Sequence, residues 1–95
     1  MAQVTVLRRE TFVVSVSPGQ AEERVAVVYS TPAVPPRIVY LPLANYRAAT
    51  PQEAQANPRF LWYPRDKGAE ETERKAIAED LALATRGLPT TFEVT

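Results

Sequence analysis

Nine consecutive residues, from Arg59 to Lys67, hold Arg59, Phe60, Trp62, Tyr63, Arg65 and Lys67. Cations interleaved with aromatic rings suit three uses. Phe and Trp fill hydrophobic cores. Trp, Tyr and Arg dominate the energetics of protein interfaces. Bases of a single strand stack on Tyr and Trp while Arg neutralises phosphates. Tyr46 and Arg47 repeat the pairing upstream. The candidates for contact with a partner are therefore Arg59, Trp62, Tyr63 and Arg65, with Tyr46 and Arg47 secondary.

Bond-making chemistry has less to work with. The chain lacks histidine and cysteine, so no imidazole shuttles protons near neutral pH and no thiolate serves as nucleophile or soft metal ligand. Ser15, Ser17 and Ser30 have no base to activate them, and Lys67 and Lys75 sit among other charges. Glu70, Glu71, Glu73, Glu79 and Asp80 cluster in one helical stretch, interleaved with Arg74 and Lys75. That pattern reads as a solvated helix face, whereas hydrolysis needs two acids in unlike environments across a cleft. Three glycines in the whole chain supply no phosphate-cradling loop. No cofactor or metal is expected, and the chain reads as a non-enzyme.

Charge is balanced overall but polarised. Eleven basic residues offset eleven acidic ones, which argues against a protein built mainly to hold a phosphate backbone. From Arg37 to Lys67 five cations stand against Glu53 and Asp66, while from Gly68 onward six acids stand against three cations. A positive middle and a negative tail on one small domain suit head-to-tail association. No stretch has the apolar length to span a bilayer and the N-terminus lacks a signal-peptide pattern, so an intracellular, cytoplasmic protein is expected.

The elements that must position these residues follow from periodicity. Val4 and Val6 open an alternating pattern, which resumes after Arg8, Arg9 and Glu10 with Phe12, Val14 and Val16 on one face. Ser17 to Gln20 breaks it at Pro18 and Gly19, and a second strand runs from Glu23 to Ser30 with Val25, Val27 and Tyr29 on one face. A loop of that length leaves register open. Pro32, Pro35 and Pro36 make a stiff extended connector, followed by a third strand over Arg37 to Leu41. Thr50, Pro51 and Glu53 form a capping box for a short helix that must end before Pro58. Phe60 to Tyr63 is too short to assign, as strand or buried loop.

A long helix lies between Asp66 and Arg86. Asp66 caps it, Glu70 with Arg74 and Glu71 with Lys75 stand four apart, and Ile77, Leu81, Ala84 and Leu88 form its apolar stripe, flanked by Ala76 and Leu83. Gly87 and Pro89 end it, and Thr91 to Val94 forms a short last strand. The predicted fold class is α+β, one domain over residues 1–95: a small antiparallel sheet, an N-terminal β-hairpin plus further strands, with one long C-terminal amphipathic helix followed by a short last strand. The function expected is a non-catalytic protein-interaction or assembly module, such as a subunit of a larger particle like a virion. Single-stranded nucleic-acid binding through the Arg/aromatic patch is the alternative, and a small enzyme subunit using carboxylates the third.

Overall fold

A computed structural model describes residues 2–32, 35–85 and 92–94. The hairpin dominates it. β1 (Ala2–Ser17) and β2 (Gln20–Ser30) pair antiparallel along most of their length. β3 (Arg37–Pro42) adds an antiparallel edge strand to β2. Tyr46–Ala48 (β4) pairs with Trp62–Pro64 (β5) in a separate two-stranded ribbon. Between them lies the short helix α1 (Pro51–Ala56), and the ribbon is followed by the long helix α2 (Lys67–Thr85). Phe92–Val94 (β6) lies parallel to Ala2–Val4 on the far side of β1. The sheet order is β3-β2-β1-β6. The expected α+β class, antiparallel sheet with one long helix, is what forms.

Several details differ from expectation. The ladder runs on to a Ser17–Gln20 pair, so the loop is only Pro18 and Gly19, with Gly19 at φ +78°. Proline presets the first central position of such a turn, and glycine takes the left-handed second without strain. β1 is one strand, because a β-bulge at Leu7 carries it through the charged triplet. Val6 pairs with Tyr29, Arg8 with Val28 and Arg9 with Val27. The extra residue lets Arg9, and not Arg8, follow Val4 and Val6 onto the helix-facing side.

The core lies between that inner face and α2. Val4, Val6, Val25, Val27, Tyr29, Val39 and Leu41 pack with Ile77, Leu81 and Tyr46. Thr50 caps α1 in a complete capping box, and Asp66 Oδ1 accepts from the Ala69 amide at the start of α2, 2.9 Å. Glu73, Ile77 and Leu81, each four apart, are fully buried positions of α2. Ala84 is exposed and Leu83 is 79% exposed, so neither joins the core. Glu70 pairs with Arg74 as predicted, 2.9 Å. Ala33 and Val34 of the proline-rich connector, and Arg86, Gly87, Leu88, Pro89 and Thr91 of the predicted helix end and last strand, lie outside the described residues.

Candidate functional site

The acidic face of α2 is not uniformly solvated. Glu73 is 1% exposed. Its Oε1 accepts from Arg9 Nη2 at 2.7 Å and its Oε2 from the Tyr46 hydroxyl at 3.1 Å. The Arg9 guanidinium lies over the Phe60 ring at 5.0 Å and the Tyr63 ring at 5.6 Å, while its buried Nε has no acceptor among the described residues. Burial, then the Glu73 charge, pushes the Tyr46 hydroxyl well above its ordinary pKa. Asp80 is likewise engaged: it accepts from the Tyr29 hydroxyl and from Arg37 Nε, 3.0 Å. Burial alone would raise the Asp80 pKa, but bonds from Arg37 and Tyr29 outweigh it and hold the carboxyl below its usual range.

A cleft of about 500 Å³ opens beside the Arg9–Glu73 pair, walled by Val6, Phe60, Tyr63, Glu70 and Arg74 among others. Glu70 and Glu73 are acids in unlike settings, but each is held by an arginine. Arg47 at the same wall is bidentate to Glu53, 2.7 and 2.9 Å, and the Asp66 carboxylate caps α2. The carboxylates of the cleft wall are therefore each engaged, Glu70 and Glu73 by arginines and Asp66 by a helix amide. Among the described residues no group of three or more acids is placed to hold a metal ion.

The predicted contact residues gather on the β4–β5 ribbon but not on one surface. Tyr46 is 1% exposed and belongs to the core, so it offers nothing to a partner: its hydroxyl is needed at Glu73. Trp62 is half-buried and packs against the core near Leu43, at the foot of the hairpin. Tyr63 and Arg47 pair across the ribbon, with the Arg47 guanidinium 5.5 Å from the Tyr63 ring. Arg65 is exposed and donates to the Tyr46 carbonyl, 3.2 Å. Arg59 is exposed and stands apart, sharing a hollow of about 350 Å³ with Leu7, Arg8 and Val28.

That hollow leads to a surface the sequence reading did not isolate. On the sheet face turned away from α2, ladder pairing aligns Arg8, Val28 and Ile38 in one row and Glu10, Ala26 and Tyr40 in the next. Phe12, Arg24 and Pro42 form a third row, and Val14 with Glu22 a fourth. The Phe12 and Tyr40 rings meet 4.9 Å apart, and Ala26, lying between their strands, is buried while Tyr40 stays 53% and Ile38 46% exposed. Two short ion pairs, Arg8–Glu10 at 3.3 Å and Arg24–Glu22 at 2.9 Å, rim the patch. The signal was present in the sequence: Phe12 and Val14 alternate out of phase with Val25, Val27 and Tyr29 once the register is known. Antiparallel sheets normally turn polar residues to water on their open side. No family model, no curated protein and no solved structure matches this chain.

Proposed function

We propose that the chain is a non-catalytic protein-interaction or assembly module, of the kind that serves as a subunit in a larger particle, and that it docks through the open face of its sheet. The observation that carries this reading is the exposed Ile38–Tyr40–Phe12 surface on the side opposite the long helix. Contiguous exposed apolar surface on a small domain marks a contact site. Tyrosine and phenylalanine supply contact area at low entropic cost. Arg59, at one end of that face, is the sequence-derived candidate best placed to join it. Trp62 and Arg65 lie on the β5 side and form a secondary edge of contact.

The engagement of the carboxylates supports the non-catalytic reading. The burial of Tyr46 and the half-burial of Trp62 and Tyr63 remove stacking surface that a nucleic-acid binder would use. A photoreactive residue placed at position 40, compared with one at the exposed helix position 71, tests the reading in cells that make the protein. Discrete protein adducts from position 40 and none from 71 are expected. No adduct above the position-71 control overturns the reading, and adducts to nucleic acid replace it with strand binding.

A further inference from the structure

Resting on that reading, we infer that the hollow beside Arg59 receives an acidic side chain of a partner protein, whose neighbouring apolar side chain rests on the adjoining sheet face. The hollow holds about 350 Å³ and is walled by Leu7, Arg8, Val28 and Arg59. Two arginines and two aliphatic side chains line it, and no described carboxylate does. The neighbouring hollows differ in kind: the cleft at Arg9 carries Asp66, Glu70 and Glu73, and the one under Trp62 carries Glu23. Local structure explains the basic wall. The bulge drops Leu7 out of the ladder and sets Arg8 opposite Val28, on the side turned away from α2. Arg59 directly precedes Phe60, whose bridge to Arg9 holds this segment against β1.

Neither arginine is committed within the chain. Arg59 is exposed and pairs with no acid among the described residues. Arg8 meets Glu10 at 3.3 Å, with both side chains about half-exposed. A pair so open to water adds little and yields to a better-placed carboxylate. A carboxylate offers two oxygens to a guanidinium fork, and such charge-assisted bonds are roughly twice as strong as neutral ones. The apolar half of the site is adjacent. Val28 and then Ile38 follow Arg8 across the row, two strand spacings or roughly 10 Å away. An extended segment covers that distance in about three residues, so the acid and the apolar side chain are near neighbours in the partner.

The same face argues for a protein carboxylate over a nucleic-acid backbone. A phosphate track needs a stripe of cations, and here the cations gather at one end. Beyond the hollow a polyanion would meet Glu10 beside Ala26 and Tyr40, then Glu22 beside Val14. Arg24, the other cation on that path, is held by Glu22 at 2.9 Å. A single acid followed by apolar side chains meets no such repulsion.

A fluorescent peptide of three Glu-Glu-Leu-Phe repeats is the probe, because its extended form alternates acidic and apolar side chains on each face. The control peptide carries Gln for every Glu. Titration of the full chain, followed by anisotropy and by backbone amide NMR, should give a dissociation constant of about 10–300 μM for the acidic peptide. Amide shifts are expected at Leu7, Val28, Ile38 and Arg59. The Gln peptide should bind at least about tenfold more weakly. Arg59→Gln, at an exposed position, should cost the acidic peptide about fivefold and the Gln peptide nothing. Equal affinity for the two peptides overturns the inference, as does no binding up to about 1 mM. Acidic-peptide binding indifferent to both Arg59→Gln and Arg8→Gln overturns it too. Tighter binding of an oligo-dT of similar length at the same amides replaces it with strand binding. Self-association of the chain alone that Arg59→Gln abolishes assigns the hollow to a second copy and overturns it. If the peptides fail while position 40 still gives protein adducts, the acidic partner falls and the interaction reading stands. If both fail, neither survives.

Discussion

Glu73 decides more than any other residue how this fold closes. It occupies a position of α2 that four-residue spacing assigns to an apolar side chain, one turn before Ile77 and two before Leu81. It stays there because Arg9 and Tyr46 each satisfy one carboxylate oxygen. Breaking such a pair leaves an uncompensated buried charge, which typically costs about 3–5 kcal/mol, whereas replacing both partners with apolar groups is often neutral. Glu73→Ala should therefore lower unfolding stability in urea by about that amount, and Arg9→Met with Glu73→Leu should lower it less than the single change. A single-variant cost below about 1 kcal/mol would place the pair in solvent instead. Neither partner was legible from sequence. They stand 64 residues apart, and only the bulge at Leu7 turns Arg9 inward.

Glu53 gives the residue scale a pH signature. Its carboxyl is pulled down from an ordinary 4.5 to about 2, first by the Arg47 bond and then by the Thr50 amide. A carboxyl that is more acidic when folded stabilises the fold above its unfolded pKa, and that contribution disappears as pH falls through the folded one. The link between β4 and α1 should accordingly hold above about pH 4.5 and loosen between there and about 2. The Glu53 carboxyl carbon, followed by NMR across that window, should titrate near the lower limit. Arg47→Gln should move the midpoint back toward 4.5.

Among elements, the hairpin is the least uniform. Residues Arg24 to Tyr29 of β2 are paired on both sides, by β1 and β3, while Gln20 to Glu23 pair with β1 alone. A two-stranded ribbon is marginal in water by itself. Amide exchange in Val13–Val16 and Gln20–Glu23 of the dilute protein should run at least about tenfold faster than in Val25–Val27, since local opening costs less where fewer contacts must break. Gly19→Ala should shift the same region further, because a left-handed residue with a Cβ costs roughly 1–2 kcal/mol. Slow exchange at the tip of the dilute chain would mean the arm is braced by more than its own two-stranded ladder.

The same comparison shows what sequence reading reaches. The hairpin, the capping box of α1, the edge strand β3 and the Asp66 start of α2 are specified within a few neighbouring residues, so periodicity and capping chemistry suffice. The β4–β5 ribbon is not, since three residues per strand show no period. Which side of β1 faces the helix is not either, because alternation names two faces and burial chooses one. The Arg/aromatic cluster was visible as composition, but its division into core, cleft and surface depends on that ribbon.

For the whole molecule, zero net charge with separated ends makes ionic strength the most informative variable. Most arginines are neutralised within the monomer, at Glu10, Glu73, Glu22, Asp80, Glu53 and Glu70, so salt should change the stability of the monomer little. Arg59 at the edge of the open sheet face behaves differently, because no acid among the described residues pairs with it. Exposed charges steer encounter over a screening length of about 8 Å at physiological salt and about 30 Å at 0.01 M. Raising salt across that range should therefore slow association of an acidic partner with that face severalfold while leaving dissociation, governed by Tyr40, Ile38 and Phe12, nearly constant. Stopped-flow dilution and mixing at several salt concentrations separates the two rates. A salt effect carried by dissociation instead would mean that buried ion pairs, not the apolar middle of the sheet, hold the partner in place.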